Sequence, residues 1–557
     1  MLEYRGVLGP GQHASIMSVL LILAIVLPIV GAAGVLVLSR FPATKPGANY
    51  LALGSAVLTT VCVIVLVAAG RDVSLQLGRA GLLGLEGAAE LRHTPVAGAV
   101  TLVVVLATLA SLLVGLSGAQ QGRPFRTASV LWLLAATLVA LWARDPLIAV
   151  VGWTVYDVVL FLSQLCAGVS AASAVRTLVF GGLATILLWI GALAHGTIAP
   201  AETWSGLAAG GPGALAVLFA AVIRLWVYPV HRGAPDELDA RQPLGMPLLL
   251  GPALGWTLWL HVAVASGDAV LGGWSGLLGA AGLTVGAFLA WATTDSRRTL
   301  VTLATACAAE VLLASALAGD QAKAVLAAGA ISWILALAVL WLVGTAEEKG
   351  AWWVVPRAIA SWSLAGGPAA LGFVAGAHLM HEAARPGRLL ETLAFFVGNS
   401  FLVAALLRSW RVSARAPRSL GRGAAVAAGL GLSVPAAVLL VAGLHPPLLV
   451  PVDPPPMGLV PLLGLPAWPG WLLWAGSLAA GAAIAWQDAK LRTRINLILA
   501  AARDLLHLDW LYEGALAASE QVLKALQTAE ELVTGRGGLL WSTLLLLLFA
   551  LLWGSLS

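Results

Sequence analysis

Apolar runs of roughly 17–25 residues recur along nearly the whole chain, and each is long enough to cross about 30 Å of hydrocarbon as a helix. Counting them predicts sixteen spans: 15–39, 49–70, 95–118, 127–143, 146–169, 175–194, 214–228, 245–266, 274–293, 298–319, 322–345, 358–380, 389–407, 423–444, 471–486 and 539–555. The first run is too long for the core of a secretory signal and lacks a clear small-residue cleavage site, so it reads as a span. Strand-type alternation over about ten residues is missing, which excludes a transmembrane β-barrel. The predicted class is an all-α polytopic membrane protein.

Two spans are interrupted in similar ways. Span seven runs into Tyr228-Pro229-Val230-His231-Arg232-Gly233-Ala234-Pro235, and span twelve contains Ala365-Gly366-Gly367-Pro368. If spans four to eight form one unit and nine to thirteen another, the broken helix is fourth in each. Five-helix units insert with opposite orientation, which is the arrangement of an inverted repeat with discontinuous helices at matching places. Gly and Pro are also common in ordinary transmembrane helices. The predicted organisation is three N-terminal spans (1–125), a first five-helix repeat (126–270), a second inverted repeat (271–410), two further spans (411–486), an amphipathic helix (487–535) and a last span (536–557).

The stretch 487–534 differs from its surroundings. Leu505, Leu508, Leu511, Tyr512, Leu516, Val522 and Leu526 recur at three/four spacing, with Asp504, Asp509, Glu513, Glu520 and Glu530 among them. So many acids argue against lipid-surface binding, which favours Lys and Arg. The expectation is a lateral helix on the cytoplasmic side, lying against partner subunits and reaching at most about 70 Å at 1.5 Å per residue.

Composition agrees with the pattern. The 557 residues are 60% hydrophobic and 10% charged, and the mean hydropathy of +0.93 is outside the range of soluble domains. Cys62, Cys166 and Cys307 lie far apart in spans and form no disulfide framework. Ligand clusters for haem or iron–sulfur centres are missing, so no cofactor and no metal are expected. The formal charge of +5 is spread over loops and implies no nucleic acid. Loops after odd-numbered spans, up to span thirteen, hold roughly 16 Lys/Arg against 7 in the others. This bias predicts a multi-pass protein of the inner (plasma) membrane with both termini on the non-cytoplasmic side.

Ionisable residues inside spans are functional candidates by default, since a bare charge in hydrocarbon costs at least about 2.5–3.5 kcal/mol. Arg224 lies inside span seven just ahead of its break, and Asp157 lies in span five. They read either as an ion pair whose spacing gates protons or as a structural pair that fixes packing. Glu310 is mid-span ten, and reads as a proton carrier or as a group facing a hydrated partner interface. His261 in span eight is a relay or a packed histidine. His378, His381 and Glu382 crowd the end of span twelve; spacing of three puts the histidines on one face, suited to proton uptake or release near neutral pH. His231 and Asp236 flank the first break, where they funnel protons or cap it.

The order Arg224, Pro229, His231, Pro235, Asp236, Pro243 resembles the Lys…Pro-Leu-His…Leu-Pro-Asp-Ala…Pro motif of the antiporter-like subunits of respiratory complex I, a family shared with Mrp-type antiporters and membrane-bound hydrogenases. Val151-Gly152-Trp153, Asp295-Ser296-Arg297-Arg298-Thr299-Leu300, and Ser363–Pro368 followed by Leu371-Gly372-Phe373 are similar to further family segments in the same order. Asp509-Trp510-Leu511-Tyr512-Glu513 before the last span resembles the tail of the distal, largest complex I subunit, which carries a lateral helix. The resemblance implies the fold described above and a non-redox subunit that translocates protons or Na⁺ beside other membrane subunits.

The departures are as informative. The family's acid after Gly-Trp is Thr154 here, with Asp157 a displaced substitute on the same helix face. The family's span-seven Lys is Arg224, which stays protonated and is a poor proton carrier. The span-eight His position reads Leu250, the span-eleven His and Lys positions fall near Ser332 and Ala336, and the span-twelve Lys falls near Gly376. Three functions follow from the resemblance: a proton-translocating subunit of a respiratory or hydrogenase assembly with a degenerate path, a proton-coupled partner in inorganic-carbon uptake, or a non-conducting scaffold.

Overall fold

The computed structural model describes residues 10–41, 45–82, 85–116, 124–144, 146–196, 212–235, 243–262, 268–344, 352–412 and 421–514, with a few positions beyond. The chain divides into one unit ending at Arg494 and a second beginning at Ile495.

Eighteen α-helices are described. Helices α1 (Pro10–Ser39), α2 (Lys45–Ala69) and α3 (Pro95–Leu116) open the fold, followed by α4 (Pro124–Leu141), α5 (Pro146–Ala167), α6 (Ala171–Gly196), α7 (Pro212–Leu225) and α8 (Gly251–Val262). Next come α9 (Asp268–Ala292), α10 (Ser296–Leu317), α11 (Ala322–Val343), α12 (Val354–Leu364), α13 (Phe373–Ala383) and α14 (Leu389–Val412). The last four are α15 (Arg422–Leu444), α16 (Leu459–Gly464), α17 (Trp468–Trp486) and α18 (Asp488–His507).

Among the described residues eleven helices are long and apolar enough to cross a membrane. They correspond to predicted spans one to six, nine to eleven, thirteen and fourteen. The difference from sixteen has a local cause at each remaining place. Span seven is a 14-residue helix ending ahead of Pro229, and span eight opens as a 3₁₀ segment, Pro243–Leu249, before the 12-residue α8. Span twelve is two 11-residue helices, and span fifteen, the 19-residue α17, is long enough but made less apolar by its Trp, Gly, Ser and Pro residues. Predicted span sixteen and most of the lateral helix beyond residue 514 lie outside the described residues.

The all-α expectation holds for the spanning segments but missed one connection. Residues between α2 and α3 pair as an antiparallel hairpin, β1 (Val73–Leu82) with β2 (Leu85–His93). Its second strand continues onto the α4–α5 connection: Arg92 N–H donates to the Trp142 carbonyl at 2.6 Å, Arg144 N–H donates to the Glu90 carbonyl at 3.1 Å, and the Arg144 guanidinium pairs with buried Glu90. His93 ends the strand fully buried, edge-on to Trp142 with ring centroids 6.0 Å apart. Burial pushes its imidazole below the ordinary value of 6.5. The folded state therefore binds fewer protons than the unfolded state below that value, and stability is lost as pH falls through and below about 6.5. Thermal unfolding at pH 7.5 and pH 5.5 checks this: the acid-induced drop in Tm is expected to be smaller in His93→Gln than in the wild type.

The core is built around α11. Its apolar window is wholly buried, and it is surrounded by α3, α8, α10, α12, α13 and α15. By contrast α1, α2, α5 and α6 leave Val30, Val61, Val158, Val179 and Ile186 exposed on outer faces. A surface of this kind suits lipid, where an apolar side chain costs nothing. Helices α9 and α10 approach most closely, because Gly279, Gly282 and Gly286 form a smooth stripe. A Cβ at Gly279 would stand 2.7 Å from the Leu313 nitrogen. Small residues allow such backbone contact in membrane bundles.

Candidate functional site

Both helix breaks expose backbone polar groups that lipid cannot satisfy, so the fold must pair them. At the first, Trp226 adopts a left-handed φ of 55° and Pro229 has no N–H to donate. The 3₁₀ turn Val230–Gly233 follows, with Val230 N–H donating to the Val227 carbonyl at 2.9 Å. At the second, Gly366 and Ala369 take φ of 65° and 63°. Two indoles cover the freed carbonyls: Trp474 of α17 donates to Ala365 at 3.0 Å, and Trp362 of the broken helix itself donates to Pro368 at 2.9 Å. Leu371 N–H reaches the Leu439 carbonyl on α15 at 3.0 Å.

Asp157 and Arg224 meet at the first break. The guanidinium grips the carboxylate with both arms, Nη1 to Oδ1 at 2.5 Å and Nη2 to Oδ2 at 2.6 Å. Nη2 also donates to Thr185 Oγ1 at 3.2 Å and to the Gly181 carbonyl at 3.3 Å, and Thr185 donates to Asp157 at 3.3 Å. The Arg224 Cζ lies 4.6 Å from the centre of the Trp153 ring. Asp157 and Arg224 are only 5% and 4% exposed, so this is a desolvated pair rather than a surface one. Gly181 makes room for it: a Cβ there would sit 2.5 Å from Asp157 Oδ1. Thr154 faces outward, and its hydroxyl folds back to the Val150 carbonyl at 2.8 Å. Asp157 therefore occupies the inward face that Thr154 does not.

A water-sized cavity adjoins the pair, lined by Tyr156, Thr177, Phe180, Gly181, Arg224 and Gly251. On its other side Trp153 lines a second small cavity with His261, Thr257 and Leu258. His261 Nδ1 donates to the Thr257 carbonyl at 2.6 Å. The structure thus brings His261 close to the pair with one indole between them. His231 is buried in the 3₁₀ turn and stacks on Tyr228, with ring centroids 5.4 Å apart. Asp236 lies outside the described residues.

Glu310 faces the second break. It projects from α10 into a cavity lined by Cys307, Ser332, Trp333, Ser363, Gly372 and Ala375. A Cβ at Gly366 would stand 3.9 Å from its Oε1. Ser332 and Ser363 share a hydrogen bond of 2.8 Å, and Gly372 N–H donates to Ser363 Oγ at 3.1 Å. No ion pair reaches Glu310 among the described residues.

His378, His381 and Glu382 do sit together at the end of α13, but in different environments. His378 is buried. The Arg385 guanidinium donates to His381 Nε2 at 2.9 Å and pairs with Glu382 at 3.0 Å. Glu382 is therefore held by a cation at a helix end. No group of three His, Cys, Asp or Glu with metal-binding placement occurs among the described residues.

Sequence reasoning passed over a second set of charges, one buried and two half-buried. Arg408 donates to the Trp291 and Thr293 carbonyls at the end of α9. Arg492 donates to the Trp291 and Ala292 carbonyls and pairs with Asp488 at 2.9 Å, while Asp488 accepts from the Trp291 indole at 2.9 Å. Cations at a helix C-terminus satisfy its orphan carbonyls and its dipole. The i,i+4 spacing of Asp488 and Arg492 was the one signal in the chain. Arg408 had counted only toward orientation.

The site is thus a helical bundle in which each of two broken helices faces a buried ionisable group. No family model and no curated protein matches the chain. Among solved structures, a chain of the Mrp complex from Dietzia sp. DQ12-45-1b superposes with a TM-score of 0.75 at 18% identity, over 96% of this chain and 63% of that one. This chain therefore spans less than two thirds of that relative. A chain of the membrane-bound sulfane sulfur reductase, an archaeal respiratory membrane complex, superposes with a TM-score of 0.62 at 16% identity, over 76% of each chain. The chain therefore shares its fold with chains of these two membrane complexes.

Proposed function

We propose that this chain is a proton-translocating, antiporter-like subunit of a multi-subunit membrane assembly of the respiratory or hydrogenase kind, with a degenerate proton path. The observation that carries this reading is the placement of Asp157–Arg224 and of Glu310, each buried against a helix break. Broken helices at mid-depth are where transporters hold charge, and the surrounding protein replaces the water that the charge has lost. The chain does no redox chemistry itself. A partner subunit shifts a nearby charge, and the field changes the proton affinity of the next group along. His231 and Asp236 serve the end of the first break, His261 communicates through Trp153, and His378, His381 and Glu382 serve the end of the second. The lateral helix 487–535 braces neighbouring subunits on the cytoplasmic side of the inner membrane, with both termini opposite.

The closed bidentate grip of Arg224 on Asp157 favours a second reading, a scaffold whose conduction is lost. Flux decides between them. The full chain reconstituted in vesicles is expected to pass protons on an imposed potential, read with an entrapped pH dye, above the leak of protein-free vesicles. Leak-level flux from well-folded protein supports the scaffold. Affinity purification from native membranes is expected to bring down further polytopic subunits.

A further inference from the structure

The Ser332–Ser363 pair has a hydrogen-bond arithmetic that bears on its neighbour. Two hydroxyls carry two protons between them, and their mutual 2.8 Å bond uses one. Gly372 N–H occupies an acceptor position of Ser363 and supplies no proton that the pair can pass on. One O–H therefore always remains over, on Ser332 or on Ser363 according to which way the mutual bond points. Both residues line the cavity that holds Glu310, and the cavity admits about one water. Glu310 is buried, and no Lys, Arg or His lines that cavity; Cys307 is the other ionisable group on the wall. A carboxylate enclosed without a counter-charge is strongly disfavoured, and either a proton or a bound cation removes the cost. Side-chain oxygen on the wall comes from one carboxyl and two hydroxyls. Hard cations take about six or more oxygens, so the site is poor in ligands for a metal ion.

We infer that Glu310 with Ser332 and Ser363 forms a buried one-proton site, in which the carboxyl holds an exchangeable proton and the serine pair relays it through a single water. This deepens the transport reading above and rests on it only for the direction of flow. In the transfer, the Glu310 carboxyl O–H breaks and its proton joins the cavity water. The water releases one of its own protons to Ser332 Oγ as Ser332 gives its proton to Ser363 Oγ, and Ser363 hands its original proton to a second water on the side of the break, which carries it off as hydronium. Each oxygen of the relay ends with as many hydrogens as it began with, Glu310 is left as the carboxylate, and one proton has moved. The two serines are relay groups that carry the proton themselves; they come from α11 and from the last turn of α12, just ahead of the break after Leu364.

The full chain in lipid vesicles tests this by infrared spectroscopy in H₂O and D₂O beside proton flux. The wild type is expected to show a protonated-carboxyl carbonyl band at neutral pH that shifts on deuteration and vanishes in Glu310→Gln. The double variant Ser332→Ala with Ser363→Ala is expected to keep the band at a shifted frequency, because the acid persists while its hydrogen-bonded surroundings change. Proton flux is expected to fall on the order of 100-fold in Glu310→Gln, the scale of a lost proton-transfer group. A wild-type spectrum with no band assignable to Glu310, or flux in Glu310→Gln equal to that of a wild type that conducts protons, overturns the inference. Uptake of radioactive sodium that is lost in Glu310→Gln, with no such band in sodium-free buffer, overturns it in favour of a bound cation. An intact Glu310 band in a wild type that passes no protons supports the one-proton site and overturns the transport reading.

Discussion

Asp157→Ala is expected to destabilise the bundle by roughly 3–5 kcal/mol, the cost of stranding one member of a buried ion pair. Arg224 would keep its charge, because a guanidinium does not deprotonate in proteins, and its remaining partners are Thr185, the Gly181 carbonyl and the face of Trp153. None of these carries a negative charge. The measurement is thermal unfolding of the full chain in detergent, followed by tryptophan fluorescence. The double variant Asp157→Leu with Arg224→Met is the informative comparison. Replacing both charges with apolar groups of similar volume is often neutral or stabilising by about 1–4 kcal/mol, so it is expected to recover most of the lost Tm. A single variant as stable as the wild type would mean that the pair is not closed in the membrane.

Gly372→Ala is expected to disturb the second break more than any other glycine substitution there. Its Cβ would lie 1.9 Å from the Ser363 carbonyl oxygen and 3.0 Å from Ser332 Oγ. The nearest atom is backbone, so no side-chain rotation relieves the overlap. Forcing an extra methyl into a packed site costs about 1–3 kcal/mol, occasionally more, and here relief requires opening the break itself. The Gly372 N–H bond to Ser363 and the Ser332–Ser363 bond would be lost together. Proton flux is therefore expected to fall alongside stability. Gly464→Ala, where nothing lies within 4 Å of the added Cβ, is the matched control, with stability expected within about 0.5 kcal/mol of the wild type.

These expectations show which parts of the molecule were legible in advance. The Asp157–Arg224 contact could be anticipated because Arg224 inside a span demands a buried partner and Asp157 is an acid inside another span of the same predicted repeat. Asp157 and Thr154 do not share a helix face as their spacing predicts: Thr154 points outward and Asp157 inward. The breaks were legible because Pro and Gly carry their backbone consequences with them. The hairpin at Val73–His93 was not anticipated; its stability comes partly from pairing with the distant α4–α5 connection. Ser332 stood out only as the place where the family's span-eleven His falls, and Ser363 only as the start of a matching segment; neither was read as a relay. A serine in an apolar helix bonds its own turn at little cost, so its position in the chain does not distinguish a relay from a bystander. The Arg408 and Arg492 caps on α9 were hidden for a similar reason, since 117 residues or more separate each donor from Trp291.

The order of residues alone determined that this is a many-spanning helical membrane protein, where its helices break, and which few charges lie inside it. Those properties follow from hydrophobic length, backbone chemistry and the cost of charge in hydrocarbon, which act locally. Tertiary structure decided which charge meets which partner. It closed Arg224 on Asp157, placed no Lys, Arg or His among the described residues lining the Glu310 cavity, and set two serines there. Such pairings depend on helices far apart in the chain and on glycine contacts that bring their backbones within reach.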